Sequence, residues 1–429
     1  MAGAAVILAA AVLNGCRHSP QEPVTLTFLD PEWSHDARER SVLTDARLEE
    51  FTQQTGIRVK HLPAPETSPD QLELVRDLLE KKTPTPDVYG IDVIWPGMLN
   101  EYLVDLKPYF APELSSQDPE VVRNYTILGK LVAVPYHANT GVLFYRTDLL
   151  LKYGYKQPPK SWDELEKMAA RIQEGERARG EKDFWGFVWP GAASEGLTCS
   201  ALEWQFDEGG GHIIEADKRI SINNPKAIRA WERAAHWVGW ISPPSVLSYQ
   251  EWDASNTFLN AERAAFGRSW TSNYFLHHPL GLPIQDRVGE TSVPGGKSAR
   301  VATLGGFGLA VSSSSAHVGE AVQLVRFLLQ KEAQQEREQS RSAFPVHPEL
   351  HELPGILKIR DSAGEPSRGD SVVVRPSTVS GAKYAEVSQA YVQAVHSVLM
   401  GRVKASDAVK DLEKKLVAIT GFGTGPPVN

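Results

Sequence analysis

The stretch from residue 24 to residue 94 opens on Val24-Thr-Leu-Thr-Phe28, continues with Ile57-Arg-Val-Lys-His-Leu62 and closes on Asp87-Val-Tyr-Gly-Ile-Asp-Val-Ile94. The first two segments alternate apolar or β-branched residues with other residues, and the third is mostly apolar, so all three predict strands. Helical patterns over residues 38–54 and 70–82 separate them, and Gly56 is predicted to end the first helix in a left-handed conformation. Strand–helix–strand–helix–strand at this spacing predicts a parallel, doubly wound α/β sheet.

Two later segments are long for single strands and apolar enough to be buried. They are residues 130–146 and Val301–Val311. Pro135 and Gly141 interrupt the first segment, which predicts that it bends and passes between two bodies. Two long strands far apart in sequence therefore indicate a two-lobed protein whose chain crosses more than once.

Helix signals stand out at two further places. Ser161 is predicted to cap a helix, and Glu164, three residues later, to complete a capping box. Residues 384–416 are predicted to be helical with a break at Gly401.

Residues 1–15 predict a signal peptide, because this uncharged, largely apolar run is too short to span a bilayer. Cys16 follows Leu13-Asn-Gly, the small-residue context that a lipoprotein signal peptidase accepts, although the leader contains no Lys or Arg. We expect cleavage before Cys16, lipidation of its thiol and a polar tether over residues 16–23. The protein would then lie on the periplasmic or cell-surface side, held to the membrane by lipid alone.

The composition of the 429 residues is that of an ordinary globular protein, with 41% apolar and 23% charged residues. The formal net charge of −8 and the lack of a basic stripe argue against a nucleic-acid partner. Cys199 is the only other cysteine, so a lipidated Cys16 leaves no disulfide within the chain.

Motifs of metal, redox and phosphate chemistry do not occur in the sequence, which has no His-Glu-x-x-His, Cys-x-x-Cys or phosphate-binding loop. We therefore expect neither a metal nor a cofactor. A glycosidase would need two carboxylates that face one glycosidic bond. Glu195 and Glu203 are the pair to consider, and the sequence leaves this alternative open.

Charged residues stand beside aromatic residues at several places. These are Glu32-Trp33, Asp92 to Trp95, Glu203-Trp204, Trp252-Asp253 and Arg268-Ser-Trp270. Carboxylates and guanidinium groups can bond two vicinal hydroxyls of a neutral sugar, and aromatic rings cover its C–H faces. The first two places follow predicted strands, where such sheets bind their ligands. Each pair is also compatible with a Trp that is half buried in a core.

Several stretches carry a family resemblance. They are Phe51-Thr-Gln-Gln-Thr-Gly-Ile-Arg-Val59, residues 87–96, residues 133–150, Gly186-Phe-Val-Trp189 with residues 195–204, and Ala302-Thr-Leu-Gly-Gly-Phe307. Through them, residues 24–420 resemble the periplasmic sugar-binding proteins of ATP-binding-cassette importers. The resemblance is to the maltose-binding type, and within it to the trehalose/maltose-binding branch.

The resemblance implies a type II periplasmic binding protein fold with two discontinuous α/β lobes and three hinge crossings. Lobe 1 would comprise residues 24–137 and 302–344, and lobe 2 residues 138–301 and 345–429. It also implies a monomeric binding protein without catalytic residues, which delivers a disaccharide such as trehalose or maltose to transmembrane permease subunits. Another oligosaccharide, a glycoside osmolyte or a polyol are the alternative ligands.

Carried over position by position, the resemblance implies a cleft lined by ten ligand-binding residues. They are Glu32, Trp33, Asp92, His137, Asn139, Trp270, Gly305, Gly306, Phe307 and Arg375. Asp92 would accept hydroxyl groups, Trp270 would stack on a sugar ring and Arg375 would donate two hydrogen bonds. Asn139 and Phe307 depart from an aspartate and a Trp found in the branch, which leaves the identity of the sugar open.

Overall fold

The computed structural model describes residues 23–30, 38–65, 68–115, 117, 119–270, 284, 287–295, 301–335 and 371–428. Cys16 and the predicted signal peptide lie outside the described residues, as do Glu32, Trp33 and most of the predicted tether. No helix in these ranges is both long and apolar enough to cross a bilayer.

Short strands alternate with helices along the described chain. The strands are β1 Thr25–Asp30, β2 Arg58–Pro63, β3 Val88–Asp92, β4 Thr126–Ile127, β5 Lys130–Leu131, β6 Val134–Arg146, β7 Trp185–Val188, β8 Ala264–Trp270, β9 Val288–Ser292, β10 Val301–Val311 and β11 Ser371–Val373. The helices of the first half are α1 Arg38–Thr55, α2 Ser68–Glu80, α3 Pro96–Leu99, α4 Lys107–Leu114, α5 Pro119–Asn124, α6 Thr147–Lys152, α7 Trp162–Ala178 and α8 Glu195–Asp207. Those of the second half are α9 Pro225–Trp237, α10 Glu251–Leu259, α11 Val318–Leu328, α12 Ser377–Ser380, α13 Tyr384–Leu399 and α14 Ala405–Thr420.

The main sheet has the strand order β2-β1-β3-β10-β6-β8-β7, with β9 paired to β6 and β11 to β10. β1 lies parallel to β2 and β3, which confirms the parallel unit predicted from residues 24–94. β10 is antiparallel to both β3 and β6. The sheet is therefore mixed, because a strand from the last third of the chain inserts beside β3.

β6 changes partners along its length, as its interrupted sequence predicts. Residues 134–140 pair with β10, whereas residues 141–146 pair with β8 and β9. The strand begins at Val134 rather than at residue 130, because Lys130–Leu131 pairs with Thr126–Ile127 in a separate hairpin. Gly141 marks the change of partner, and a Cβ there would collide with the Glu203 carboxylate.

Two large apolar clusters lie on either side of this change of partner. One contains residues of β1–β3 and α11, such as Phe28 and Leu324, and the other contains residues of α7–α9, α13 and α14, such as Trp231 and Tyr391. Val301 of β10 belongs to the second cluster and Leu309 to the first. The lobe boundaries given above stay a prediction.

Local signals at helix ends are confirmed at most points. Gly56 (φ +75°) follows α1, and Gly401 (φ +68°) separates α13 from α14, as glycine at a left-handed position does. Ser161 caps α7, because its Oγ accepts from the Glu164 N–H at 3.3 Å. The second half of the capping box is wrong: the Glu164 carboxylate accepts from the Lys160 N–H at 2.7 Å instead, one residue earlier.

Candidate functional site

Seven of the ten residues assigned by the resemblance lie at one junction of strands, where β10 pairs with β3 and β6, and β6 pairs with β8. They are Asp92, His137, Asn139, Trp270, Gly305, Gly306 and Phe307. Phe307 lies opposite Asp92 on one side and opposite His137 on the other. Trp270, the last residue of β8, pairs with Gly141 where β6 changes partners.

Asp92 ends β3 with its side chain 18% exposed. Its Oδ1 accepts from the Ile94 N–H at 3.1 Å and lies 4.0 Å from Nη2 of Arg375. Burial raises the pKa of Asp92 to about 6, although the Arg375 charge and the Ile94 hydrogen bond act in the opposite direction. The carboxylate retains acceptor capacity, which suits the recognition of hydroxyl groups.

Arg375 reaches the same junction from the segment that follows β11. Its Nη2 donates to the Leu304 carbonyl of β10 at 3.1 Å, and its Nη1 donates to the Glu195 carboxylate at 3.0 Å. Its Nε is buried and has no hydrogen-bond partner. The guanidinium group therefore links β10 to α8 and approaches the end of β3.

Glu195 is a junction residue that the sequence presents only as half of a glycosidase pair. It is the first residue of α8, and its Oε1 accepts from Arg375 and from the Tyr384 hydroxyl. Its Oε2 accepts from Ser388 Oγ at 2.6 Å. An acidic residue in a first helical turn is visible in the sequence, but the donors come from residues about 180–190 positions away.

Trp270 is half-buried and contacts three different segments. Its Nε1 donates to Glu251 Oε1 at 2.7 Å, and the guanidinium carbon of Arg268 lies 4.2 Å from the ring centroid. A Cβ on Gly305 would stand 2.8 Å from the ring, so the indole packs against the backbone of β10. Arg268 and Glu251 are two contacts that the sequence analysis did not assign.

Glu203 and Arg268 form an ion pair that is almost fully buried, with side chains 0% and 1% exposed. Nη2 and Nε of Arg268 donate to the two carboxylate oxygens at 2.8 and 3.2 Å, and the Thr303 N–H donates to the same carboxylate at 3.1 Å. Glu203 therefore lies behind the junction and is closed to a ligand. Its sequence neighbour Trp204 faces the core, where it packs edge-on against Trp189.

α8 presents acceptors to β10 at intervals of four residues, the spacing of one helix face. Besides Glu203, the Cys199 carbonyl accepts from Thr303 Oγ1 at 3.0 Å and the Asp207 carboxylate accepts from the Val301 N–H at 3.1 Å. The Cys199 side chain is buried among these groups, and burial raises the pKa of its thiol. A thiol of this kind stays protonated and unreactive.

Gly306 allows β10 and β6 to approach each other closely. Its φ of +117° is unfavourable for other residues, and a Cβ there would overlap the His137 carbonyl. The carbonyl of Gly306 accepts from the Val93 N–H at 3.1 Å. His137 is 2% exposed, and its ring lies 5.4 Å from that of Phe307.

Metal binding has no support in the described part of the chain, where no three His, Cys, Asp or Glu residues cluster as ligands. The junction instead combines a carboxylate, a guanidinium group and an aromatic ring. That arrangement can bind a neutral, hydroxyl-rich molecule by hydrogen bonds and ring contacts.

Comparison with known families gives a match over residues 46–357 to the bacterial extracellular solute-binding proteins. A relative from Deinococcus radiodurans, described as a probable ABC transporter-binding protein, is 40% identical over 410 residues. The alignment covers 94% of this chain and 96% of the relative.

Solved structures agree with this match. Maltose-bound MalE3 of T. maritima is 30% identical with a TM-score of 0.79, and the alignment covers 92% of this chain and 100% of that one. A solute-binding protein of an ABC transporter from Thermotoga lettingae, bound with α-D-tagatose, has the same TM-score at 18% identity, with 93% and 100% covered. The second likeness is one of fold.

Proposed function

The chain belongs to the family of bacterial extracellular solute-binding proteins, and from this premise we propose that it is the sugar-capture subunit of an importer of the maltose-binding type. Its ligand is a disaccharide of α-linked glucose units, such as trehalose or maltose. The ligand binds at the junction of β3, β6, β8 and β10, between the two apolar clusters.

One observation carries this proposal: Asp92, Trp270 and Arg375 converge from three distant segments. Arg375 donates to the Leu304 carbonyl, and Trp270 packs on Gly305, so adjacent residues of β10 hold the two side chains. Asp92 lies 4.0 Å from Arg375. A carboxylate, a guanidinium group and an aromatic ring thus meet at adjacent residues of β10.

The kind of ligand is inferred from residue chemistry and from the MalE3 likeness. That protein is bound to maltose, and its alignment with this chain covers its whole length at 30% identity. Glu32, Trp33 and Asn139 would add further acceptors and a second ring to the same ligand. Phe307 offers an apolar face without an N–H donor, which favours contact with a C–H face of the sugar at this position.

A glycosidase built on Glu195 and Glu203 is disfavoured by the positions of both carboxylates. Glu203 is fully buried and bonded to Arg268 and Thr303. Glu195 accepts from three side-chain donors. A retaining or inverting pair would need both groups exposed on opposite sides of one bond.

The anchor and the partner complete the proposal. Lipidation at Cys16 holds the protein at the outer side of the membrane, and residues 16–23 act as the tether. Closure of lobe 1 (residues 24–137 and 302–344) on lobe 2 (residues 138–301 and 345–429) buries the sugar and presents both lobes to permease subunits. A ligand can drive this closure only through higher affinity for the closed form.

A thermal-shift screen tests the ligand. A compound that binds only the folded state adds about 2.7 kcal/mol to its stability at a hundredfold excess over Kd. We expect trehalose or maltose to raise Tm, and ribitol, mannitol and monosaccharides to have smaller effects. A shift with a polyol alone would support the polyol alternative, and no shift with any disaccharide would contradict the proposal.

Two substitutions test the site by calorimetry with the sugar found in the screen. Trp270→Ala and Arg375→Ala should each weaken binding at least about tenfold, because each removes a directional contact. Arg229→Ala is the matched control, since Arg229 pairs with Glu208 at the surface. Unchanged affinity in both site variants would overturn the assignment.

A further inference from the structure

The orientation of Trp270 is defined by contacts on its face, its edge and its nitrogen. On the face, the Arg268 guanidinium carbon lies 4.2 Å from the ring centroid. Arg268 is itself fixed, because two of its nitrogens donate to Glu203. Its remaining Nη1 is buried without a hydrogen-bond partner, which is consistent with a guanidinium packed on a ring.

The edge of the ring meets the backbone of β10. A Cβ at Gly305 would stand 2.8 Å from the benzene part of the indole, so only glycine leaves room for the ring in this position. The ring therefore has a cation on one face and main chain at one edge.

The indole nitrogen is held from a third direction by Glu251. Its Oε1 accepts from Nε1 at 2.7 Å, which is a charge-assisted hydrogen bond. Glu251 is the first residue of α10, and the same helix bonds to β8 through Ser255 Oγ and Ser269 Oγ at 3.2 Å. Helix and strand are thus fixed to each other, and the carboxylate stands where the indole nitrogen points.

We propose that Glu251 is a positioning residue that holds the Trp270 ring in its ligand-stacking orientation before a sugar arrives. Glu251 acts through the ring, whose face is restrained by Arg268 of the Glu203–Arg268 pair. A side chain that is already ordered loses less conformational entropy on binding, so a ring fixed in advance binds more tightly. This role rests on the proposed sugar site, whereas the indole resonances of the ligand-free protein test the positioning without any sugar.

Indole resonances of the ligand-free protein test the positioning directly. The Trp270 N–H is assigned by its loss in Trp270→Phe. In Glu251→Leu we expect this resonance to shift upfield and its hydrogen exchange to accelerate, whereas Glu251→Gln, which keeps an acceptor oxygen, should stay close to the wild type. An unchanged shift and exchange rate in Glu251→Leu would overturn the proposal whatever the ligand is.

A double-mutant cycle with maltose and trehalose as probes separates positioning from direct contact. Glu251→Leu should weaken binding roughly tenfold in the wild-type background, the effect of losing one charge-assisted hydrogen bond. In the Trp270→Phe background, which lacks the N–H, it should have almost no further effect. An equal loss in both backgrounds would show that Glu251 does not act through Trp270. If neither sugar binds the wild type, the proposed ligand fails while the indole measurement still decides the role of Glu251.

Discussion

Asp92 is a largely buried carboxylate whose ionised form lowers the stability of the folded protein. Burial raises its pKa to about 6, because a carboxylate in this position has lost much of its hydration. Arg375, at 4.0 Å, offsets only part of this cost. A sugar hydroxyl could donate to this carboxylate, so an acceptor that suits a sugar is kept at the expense of the stability of the folded state.

Asp92→Asn tests how much this carboxylate lowers the free energy of unfolding, measured by urea denaturation near pH 5 and pH 7.5. The folded-state pKa lies above the ordinary value of 3.8, so the contribution of Asp92 to stability is greatest below that value and is lost as pH rises through about 6. The free energy of unfolding of the variant should therefore rise relative to that of the wild type, by roughly 1–2 kcal/mol between these two pH values, because about half of the interval from 3.8 to about 6 lies below pH 5 and one unit of pKa corresponds to about 1.4 kcal/mol. Its sugar affinity should nevertheless fall. If the free energy of unfolding of the wild type rose with pH relative to that of the variant, the expected direction of the effect would be contradicted.

Among whole elements, α8 has a special part in the arrangement of the site. Its acceptors at Glu195, Cys199, Glu203 and Asp207 face Arg375 and the first residues of β10. Carboxylates on a helix thus satisfy strand N–H groups that would otherwise be buried without partners. One face of α8 consequently holds both β10 and Arg375 in place.

Glu203→Ala should lower the free energy of unfolding by roughly 3–5 kcal/mol, because it leaves the Arg268 charge buried without its partner. Urea denaturation measures the change. The double variant Glu203→Ala/Arg268→Met should be less destabilised than the single one. Glu208→Ala serves as the control, since its surface ion pairs contribute at most about 1 kcal/mol. Equal losses in the single and double variants would contradict the argument.

β9 contains another carboxyl whose pKa is raised by burial. Glu290 lies opposite Phe144 of β6 and is 7% exposed, and burial raises its pKa to about 8. The carboxyl is protonated in the folded protein at neutral pH, whereas in the unfolded chain it is ionised.

Glu290→Gln should remove a pH dependence of stability. Because the folded-state pKa is raised, the contribution of Glu290 is complete below the ordinary value of 4.5 and is lost as pH rises through about 8. The free energy of unfolding of the variant should therefore rise relative to that of the wild type over this range, by on the order of 5 kcal/mol. Tm measured at several pH values checks it, and parallel curves for the two proteins would refute it.

For the molecule as a whole, β6 and β10 are the strands shared by the two apolar clusters. Each strand pairs its first and last residues with different neighbours, so the two strands form a band that runs from one cluster to the other. The candidate ligand residues that the structure describes lie on this band or beside it. A ligand bound there would contact both halves at once, as closure of two lobes requires.

Gly306→Ala tests whether the close approach of β10 to β6 is needed for stability and for sugar binding. The positive φ and the nearby His137 carbonyl leave no room for a Cβ, so Tm should fall and sugar affinity should weaken with it. Gly319→Ala is the matched control: Gly319 lies in α11, has nothing within 4 Å of its Cβ position and should become more stable by about 0.5–1 kcal/mol. Similar effects of both substitutions would contradict a special role for Gly306.

Three features could be predicted from the sequence alone: the strand–helix order of residues 24–94, the full extent of β10, and the helix end at Gly56 with the helix break at Gly401. These features depend on neighbours a few residues apart, where apolar period and glycine conformation leave a direct trace. The family resemblance added Asp92, Trp270 and Arg375 as residues of one site.

The contacts that hold those residues in place depend on the tertiary structure. The bonds of Glu195 to Tyr384 and Ser388, of Arg268 to Glu203 and of Glu251 to Trp270 join residues between 19 and 193 positions apart. Nothing in the local pattern distinguishes Glu203, which is buried in an ion pair, from a carboxylate that faces the site. Which side of a helix meets which strand depends on the packing of both clusters, and packing is a property of the whole chain.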